Sequence, residues 1–513
     1  MNIVVGDNET GKTTLLEAVN LVLSSQIDGR YISYELDPYL FNANMVANYF
    51  ASLRQDIISP SPYILIEAYL NDDGSSELTR LKGSNNSENL DCPGLYLRVE
   101  LDEDFAGDFL TYCKSPENPD ILPTEYYTIA WRSFADNSVT TRELPFRSKI
   151  IDTSVSRGRL GPNKYLSTII SDVLEDKQRI ALSIAYRKLK SSFMDEPGIK
   201  DINAHLEAKK GDISQKKLAV SMDIYARSTW DSGITAHLDD LPFRNVGKGE
   251  QCRVQMKLAI ESAGETNVLL IEEPENHLSH SNMSGLIKEI TTRGSDRQII
   301  LSTHSNFVLN KLGINNVKLL SLTGDTMTLL DLSQETQDYF MKLPGHDTLR
   351  VLLSLRAILV EGPSDELIVQ KAYELQFGKL PLEDGIDVIS VNSLAFSRFL
   401  EIGKLLNLNL TVVTDNDGDV EAIKTKYNDF INGDYPSISI CFDTDEQYPS
   451  LEQQMLKHNS LDILNFVLGK SFANDDELLS YMKRNKTDCA LEIFNSDRPI
   501  SFPDYISDAI KNK

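Results

Sequence analysis

The sequence predicts an α/β protein in which two parallel-sheet domains follow each other along the chain. Three observations support this prediction. Strand-like and helix-like segments alternate between residues 251 and 330, and again between residues 356 and about 442. Such alternation is typical of parallel sheets whose strands are joined by crossover helices. In addition, a glycine-rich loop follows the first predicted strand, and several later strands end in carboxylates.

The composition is that of an ordinary globular protein, with 41% hydrophobic and 25% charged residues among 513. This length predicts two to four domains.

We find no run of about 18 apolar residues and therefore expect no membrane span. The apolar amino-terminal stretch leads directly into the glycine-rich loop, which argues against a signal peptide. The five cysteines are far apart and form no CxxC pair, so we expect reduced thiols in a cytoplasmic protein.

The net charge of −25 ordinarily argues against a nucleic-acid partner, because binding to phosphates favours a basic surface. Acidic clusters that hold divalent cations also carry negative charge, however, and Mg²⁺ can bridge them to phosphate. The charge therefore leaves DNA open as a partner.

The amino-terminal half contains a strand and helix, then scattered strands, then a helical region. The first strand is predicted at residues 2–5, the first helix at 12–23, and further strands at 63–70, 95–101 and 126–131. Helical periodicity at residues 164–218, with a break at 196–198, predicts an inserted helical hairpin.

The polar residues 333–346 predict a linker between the two domains. We therefore predict a first domain at residues 1–335, a linker at 336–355 and a second domain at 356–513, with the hairpin inserted in the first domain at about 160–220.

Residues 6–13 read GDNETGKT and match the phosphate-binding motif G-x-x-x-x-G-K-[ST] in full. Glycines allow backbone N–H groups and the following helix N-terminus to face the phosphates of ATP. Lys12 is expected to contact the outer phosphates, and the Thr13 hydroxyl to bind Mg²⁺. The nucleotide-binding residues predicted here are Gly6, Asn8, Gly11, Lys12, Thr13 and Thr14.

Residues 268–273, VLLIEE, predict an apolar strand that ends in two carboxylates. A parallel strand delivers such acids to the sheet edge where nucleotides bind. We assign Glu272 to Mg²⁺, directly or through water, and Glu273 to orienting the attacking water. The structural alternative for both acids is a solvated helix cap.

Two further segments complete a recognisable order. Residues 247–251, GKGEQ, precede the acidic strand by about one helix length, and His304 follows the next predicted strand. This order resembles that of ABC-type ATPases, in which Gly247 and Gly249 would belong to the signature loop and His304 would contact the γ-phosphate. The segment 273–278, EPENHL, is similar to the acidic turn of the recombination and repair branch.

The ABC-type resemblance implies head-to-tail ATP sandwiches, and hence a homodimer or higher homo-oligomer. One departure concerns the signature loop, where Asn245 and Val246 replace the usual serine. This replacement argues against fast hydrolysis.

The second domain offers two strands that end in acids. Residues 358–366, ILVEGPSDE, leave Glu361 at a strand end and Asp365 on a first helical turn. Residues 410–419, LTVVTDNDGD, end a second strand, and we expect Asp415 and Asp417 to point the same way on an extended segment. Together these acids predict a cage for Mg²⁺ or Mn²⁺. A calcium loop is excluded because its twelfth position holds a lysine rather than glutamate.

This half resembles the Toprim domain of topoisomerases, primases and nucleases. With the ATPase half, the chain resembles the OLD (overcoming lysogenisation defect) family of ATP-dependent nucleases, which includes the nuclease subunit of the Gabija antiphage system. The resemblance covers residues 1–25 and 245–495. It implies an ABC-type ATPase domain with an inserted helical dimerisation region, followed by a Toprim-type α/β domain.

The family resemblance extends to two shorter motifs. Ser450-Leu451-Glu452 resembles its downstream acidic motif and implies that Glu452 binds metal. The segment 485–491, NKTDCAL, resembles its lysine motif and implies that Lys486 stabilises charge on the scissile phosphate. A solvated helical position for Lys486 remains open, and Lys483 is a nearby competitor.

These observations favour an ATP-binding, metal-dependent DNA endonuclease or nickase that acts in antiphage defence or DNA processing. In its chemistry, one metal ion would activate water and a second would stabilise the leaving 3′ oxygen. A partner protein of a defence system is a further candidate for binding to the chain. The alternative is a nucleotide-sensing oligomeric scaffold that regulates a partner effector, which the acidic charge favours. A primase-like polymerase is disfavoured because no template-binding zinc or helicase module is recognisable.

Overall fold

The computed structural model describes residues 1–27, 29–55, 57, 59–115, 120–152, 174–208, 219–220, 236–262, 266–293, 297–320, 326–329, 331–343, 347–391 and 396–511. The chain divides into two compact units. Unit 1 comprises Met1 and Thr13–Ser302, and unit 2 comprises Asn2–Lys12 and Thr303–Lys513. The predicted domain boundaries do not coincide with this division and stay a prediction.

The strands of the described residues are short, and many of them are parallel. They are β1 (Asn2–Val5), β2 (Gln26–Ile27), β3 (Arg30–Tyr31), β4 (Ile64–Tyr69), β5 (Lys82–Gly83), β6 (Cys92–Leu101), β7 (Tyr127–Ser133), β8 (Ser148–Asp152), β9 (His237–Leu238), β10 (Leu241–Pro242), β11 (Val268–Glu272), β12 (Gln298–Ser302), β13 (Val317–Leu320), β14 (Thr326–Thr328), β15 (Arg356–Val360), β16 (Ile386–Ser390), β17 (Leu410–Val413) and β18 (Ile438–Cys441).

The helices are distributed along both units. They are α1 (Lys12–Ser24), α2 (Ile32–Glu35), α3 (Ala43–Arg54), α4 (Ser76–Thr79), α5 (Ala106–Lys114), α6 (Asp176–Phe193), α7 (Pro197–Ala208), α8 (Lys248–Ser262), α9 (His280–Arg293), α10 (Asn306–Leu312), α11 (Gln334–Lys342), α12 (Thr348–Leu353), α13 (Pro363–Phe377), α14 (Phe396–Leu406), α15 (Val420–Lys426), α16 (Asn428–Ile431), α17 (Leu451–His458), α18 (Leu461–Val467), α19 (Asp475–Arg484), α20 (Lys486–Asn495) and α21 (Asp504–Lys511).

Unit 1 combines a parallel and an antiparallel sheet. β11 pairs in parallel with β8 on one side and β12 on the other, so Glu272 lies opposite Ser302 at the carboxyl ends of the strands. β6 pairs with the antiparallel strands β4 and β7. Alternate β6 residues Leu95, Leu97 and Val99 are fully buried in the same core, as expected for strand periodicity of two.

In unit 2, β1 pairs in parallel with β13, and a separate parallel sheet has the order β16-β15-β17-β18. Every residue of β15 and β17 is buried. Their largely apolar sequences suit central strands of a parallel sheet that is covered on both faces. The register pairs Val360 with Val413. Glu361 and the segment Thr414–Asp415 therefore begin side by side at the carboxyl edge of the sheet.

The predicted linker at residues 336–355 contains two helices, α11 and α12, which the polar sequence did not indicate. Phe340 of α11 is fully buried and its ring packs edge-on against Phe399, with centroids 5.2 Å apart. Glu401 accepts hydrogen bonds from the backbone and hydroxyl of Ser333 (2.5 and 2.9 Å), which lies just before α11. The burial of Phe340 and the hydrogen bonds to Glu401 therefore fix this segment, although most of its sequence is polar.

The predicted helical region is present as α6 and α7, with α7 beginning at Pro197 where a break was expected. Residues 164–173 and 209–218 of that region lie outside the described residues. Its role in self-association stays a prediction. No helix of the described residues is long and apolar enough to cross a membrane.

Candidate functional site

The phosphate loop has the backbone that its motif predicts. Gly11 has a φ of +90°, which a side chain would strain. A Cβ at Gly6 would approach the Thr10 hydroxyl at 2.6 Å and the carbonyl of Leu320 at 2.9 Å. The Lys12 ammonium donates to the carbonyls of Gly6 (2.9 Å) and Asp7 (2.7 Å), while Asn8 and Thr14 are exposed.

The two predicted Mg²⁺ ligands of the ATPase half are in direct contact. The Thr13 hydroxyl, on the first turn of α1, donates to Glu272 Oε1 at the end of β11. Glu272 is 6% exposed. Mg²⁺ prefers oxygen ligands in proteins. A hydroxyl oxygen and a carboxylate oxygen meet at this point.

Glu273 is held in a strained conformation. Its φ is +40°, which is rarely adopted by a residue with a side chain. Its backbone N–H donates to the Ser302 carbonyl (3.1 Å), and its carboxylate accepts from Asn276 Nδ2 (2.9 Å). Such strain is frequent where a side chain must be aimed. The sequence prediction did not include Asn276, although it lies within the EPENHL segment.

The predicted signature loop packs against the acidic turn. A Cβ at Gly249 would lie 2.5 Å from the His277 carbonyl, so a glycine is required there. Gly247 ends the loop, and its carbonyl accepts from the N–H groups of Glu250 and Gln251, both at 3.0 Å. The Gln251 side chain, which the prediction missed, is buried and donates to the carbonyls of Phe243 and Val246.

His304 follows β12 as predicted and is exposed. The next residue, Ser305, caps α10 by accepting from the Val308 N–H (3.3 Å). The histidine is therefore presented at the start of a short helix in unit 2.

In the second domain, the ends of β15 and β17 are joined through Glu361. Its Oε1 accepts from the Thr414 hydroxyl (2.6 Å) and from the Asp415 N–H (3.1 Å). Glu361 therefore has a fixed orientation beside Asp415. Thr414 was not predicted as a site residue, although it directly precedes the first aspartate of the motif.

Asp365 and Asp415 are carboxylates with raised pKa values. Burial, followed by the charge of Glu361, raises the pKa of Asp365 to about 6. Burial, followed by the charges of Asp365 and Glu361, raises the pKa of Asp415 to about 8. The charge of Glu361 contributes to both shifts, so Asp365 and Asp415 lie close to it.

Glu452 and Lys486 join the same cluster from two helices. The Lys486 ammonium is 3.1 Å from Glu452 Oε1. Burial lowers the pKa of Lys486, but the nearby carboxylates of Glu452 and Asp415 outweigh that effect and raise it. Leu451, beside Glu452 in sequence, donates its N–H to Asp415 Oδ2 (3.1 Å).

Asp417 departs from the predicted geometry. We expected an extended segment that would aim it alongside Asp415. Instead it is exposed in a turn with a φ of +49°. The cause is Asn416, which is 2% exposed and whose side chain donates to the carbonyls of Asp443 and Asp445 and accepts from the Gly418 N–H. These bonds bend the chain, so the expectation of alternating carboxylates was wrong.

The cluster fits a hard divalent cation by its chemistry. All of its acidic donors are carboxylate oxygens, and Glu452 Oε2 is buried without a hydrogen-bond partner. In the part of the chain that the structure describes, no three acid, histidine or cysteine side chains have the spacing of a formed metal site. Glu361, Asp365, Asp415 and Glu452 are the residues that would hold such a cation.

Tyr505 of α21 lies beside these acids and had no signal in the sequence. Burial, and then the charges of Asp415 and Asp365, raise its pKa well above 10. It forms part of the apolar core that supports the cluster.

Two family models match the chain. A model for the TOPRIM domain of overcoming-lysogenization-defect-like proteins matches residues 352–417. A model for an AAA domain, named after the AbiEii toxin of type IV TA systems, matches residues 183–310. The first match contains the acids from Glu361 to Asp417, and the second contains the predicted signature loop, the acidic strand and His304.

Similar proteins include a nuclease and solved structures of two kinds. The chain is 24% identical over 163 residues to the endonuclease GajA of Bacillus cereus (strain VD045); the match covers 31% of this chain and 27% of that protein. The chain therefore spans about a quarter of that relative's length. The C-terminal region of the Xanthomonas campestris pv. campestris OLD protein is 21% identical, with 31% of this chain and 93% of that chain covered and a TM-score of 0.24. The SMC head domain from Thermotoga maritima is 10% identical, with 64% and 89% covered and a TM-score of 0.26.

Proposed function

Because the chain belongs to the OLD-like family, which joins an ATP-binding domain to a TOPRIM domain, we propose that it is a metal-dependent DNA endonuclease or nickase governed by ATP. We further propose that it acts as a homodimer or higher homo-oligomer in antiphage defence or DNA processing, together with a partner protein. The single observation that supports cleavage is the meeting of Glu361, Asp365, Asp415, Glu452 and Lys486 from separate segments of one domain.

In this mechanism the acidic residues bind divalent cations, hydrogen bonds orient Glu361, and Lys486 neutralises negative charge on the phosphodiester. Glu361 is oriented by two hydrogen bonds, from Thr414 and Asp415, so one carboxylate is held at a fixed point beside the others. Divalent cations, when bound by these acids, would supply an activated water and stabilise the leaving oxygen. Lys486 is cationic at neutral pH, since the acids raise its pKa, and it is half-exposed. It is therefore available to a phosphodiester oxygen that approaches from solvent.

The ATPase half would bind ATP through Gly6, Gly11 and Lys12, with Mg²⁺ at Thr13 and Glu272. The contact between Thr13 and Glu272 supports this assignment. Glu273 would orient the attacking water from its strained position, and His304 would contact the γ-phosphate. Gly247 and Gly249 would close the phosphate site of a second copy.

The test is cleavage of supercoiled plasmid with Mg²⁺ or Mn²⁺, compared with chelator. Lys486→Ala should lose at least about 100-fold in cleavage rate, as is typical when one charge-stabilising donor is removed. Lys483→Ala is the matched control, because it is an exposed lysine three residues away and should retain the parent rate. Equal rates for the two variants would remove Lys486 from the site, and metal-independent cleavage by the parent would contradict the mechanism.

A further inference from the structure

Two short helices, α10 and α12, lie next in the chain to His304 and to the strand that precedes Glu361. α10 begins two residues after His304, and α12 ends three residues before β15, the strand that leads to Glu361. Both helices belong to unit 2, together with residues Asn2–Lys12, which contain β1 and most of the phosphate loop. These residues therefore belong to the same compact unit as β15 and Glu361.

Asn306, the first residue of α10, caps α12 from outside. The residue that precedes α12, Asp347, makes no side-chain cap with its own helix. Asn306 Oδ1 instead accepts from the Leu349 N–H (2.7 Å), and its Nδ2 donates to Asp347 Oδ1 (3.4 Å). One side chain therefore satisfies a terminal donor of α12 that would otherwise need another partner.

A second contact between the helices is fully buried. The Thr348 hydroxyl donates to Asn310 Oδ1 at 3.0 Å, and both residues are 0% exposed. Breaking a buried hydrogen bond of this kind is costly. The contact therefore ties the position of α12 to that of α10.

α12 is in turn clamped to the nuclease sheet by Arg350. Its guanidinium donates to both carboxylate oxygens of Asp387 on β16 (2.9 and 2.6 Å) and to the Val388 carbonyl (3.2 Å). It also donates to Asp347 (3.1 Å), the residue that Asn306 contacts. β16 pairs directly with β15, with Asp387 opposite Ala357. Bidentate arginine–carboxylate pairs are strong and directional.

We propose that Asn306 is a positioning residue that couples the nucleotide state at His304 to the position of Glu361, through α12 and the Arg350–Asp387 pair. The inference rests on the proposed function and names the regulation of the same nuclease site. A shift of α10 would displace the amino terminus of α12. Because β15 directly follows α12 in the chain, β15 would be displaced as well. Glu361 is held on its other side by Thr414 and Asp415, so a displacement of β15 changes how these acids meet.

Such coupling is reciprocal by thermodynamic necessity. If a nucleotide at the ATPase half changes the affinity of the nuclease site for DNA, DNA must change nucleotide affinity by the same factor. A residue that merely supports the fold would alter both affinities without altering this factor. The coupling factor therefore separates a positioning role from a structural one.

The experiment compares the parent with Asn306→Ala and, as matched control, Lys311→Ala. Lys311 is an exposed residue on the same helix. Plasmid cleavage in Mg²⁺ is measured with and without a non-hydrolysable ATP analogue, and the dissociation constant of the analogue is measured with and without a short DNA duplex. Coupling in allosteric proteins is typically about 5- to 150-fold. In Asn306→Ala we expect the coupling factor to fall to about one, to within about twofold. Cleavage without nucleotide and affinity for the analogue without DNA should both stay within about twofold of the parent. Lys311→Ala should retain the parent's coupling.

Hydrogen exchange of residues 347–360 with and without the analogue provides a readout that does not need cleavage. We expect the analogue to change protection there in the parent and in Lys311→Ala, but not in Asn306→Ala. If the parent cleaves no DNA, the proposed nuclease function fails, and the exchange data still decide the coupling. Asp387→Asn, which removes the charged bidentate partner of Arg350, provides a second variant should Asn306→Ala not fold. A parent without any response in this segment, or variants that respond like the parent, would overturn the inference.

Discussion

Replacing Asp415 by asparagine is expected to stabilise the metal-free protein while it abolishes cleavage. Burial and the charges of Asp365 and Glu361 raise the pKa of Asp415 from 3.8 to about 8 in the folded protein. The folded state therefore binds this proton more tightly than the unfolded state. The associated stability is complete below about pH 4 and is lost as the pH rises toward about 8.

The size of the effect follows from this pKa difference. At pH 7 the unfolded carboxyl is ionised, and each unit between 3.8 and 7 corresponds to about 1.4 kcal/mol. The upper bound is therefore about 4 kcal/mol at pH 7. The neighbouring acids share this repulsion, so we expect about 2 kcal/mol of stabilisation from Asp415→Asn. Asparagine retains an oxygen that can accept the Leu451 N–H, which keeps the local structure intact.

Urea unfolding in chelator, at pH 5 and pH 8, measures this prediction. Asp417→Asn is the matched control, because Asp417 is exposed and asparagine tolerates its positive φ. We expect this control to differ from the parent by less than about 0.5 kcal/mol. The parent should lose more stability between pH 5 and pH 8 than Asp415→Asn does, and added Mg²⁺ should stabilise only the parent and the control. An Asp415→Asn protein that is less stable than the parent at pH 8 in chelator would refute the reasoning.

Three further predictions concern the ATPase half and assembly. Lys12→Ala should weaken ATP binding by about 100-fold or more, since it removes the buried cation that we propose as the contact of the outer phosphates; unchanged affinity in calorimetry would remove Lys12 from the site. Glu273→Gln should bind ATP like the parent but release phosphate at least about 100-fold more slowly, and equal turnover would mean that Glu273 is not the catalytic carboxylate. The helical region should mediate self-association through exposed apolar residues such as Ile180 and Ile184, one turn apart on α6. Sedimentation at micromolar concentration should therefore show a dimer that Ile180→Lys with Ile184→Lys converts to a monomer, and a monomeric parent with and without ATP would contradict this.

Much of the fold could be predicted because its signals are local. The glycine-rich loop between β1 and α1, and the apolar strands β11, β15 and β17 ending in acids, lie in short contiguous segments. The motifs assigned both Thr13 and Glu272 to the same Mg²⁺, and in the structure these two side chains are in contact. Each of these inferences uses a pattern that a strand or turn imposes on its own residues.

The remaining features depend on residues distant in sequence. Asn416 bends the chain at Asp417 because it bonds to backbone carbonyls about 30 residues away, which no local pattern indicates. The polar segment before β15 is helical because Phe340 and Thr348 are buried against partners elsewhere in unit 2. Thr414 could have been identified as a site residue, since it precedes the first acid of the motif, but Tyr505 comes from the final helix and carries no signal.

The most direct test of the account measures plasmid cleavage and phosphate release on the same preparations of the parent and the triple variant Glu361→Ala, Asp415→Ala, Asp417→Ala. The single variants show whether exposed Asp417 contributes as much as the two clustered acids. We predict that the triple variant neither nicks nor linearises plasmid in Mg²⁺ or Mn²⁺, while its phosphate release stays within about twofold of the parent, because Glu272 and Glu273 belong to a different sheet. Cleavage by the triple variant at the parent rate would contradict the nuclease assignment and leave the oligomeric scaffold as the function to be tested.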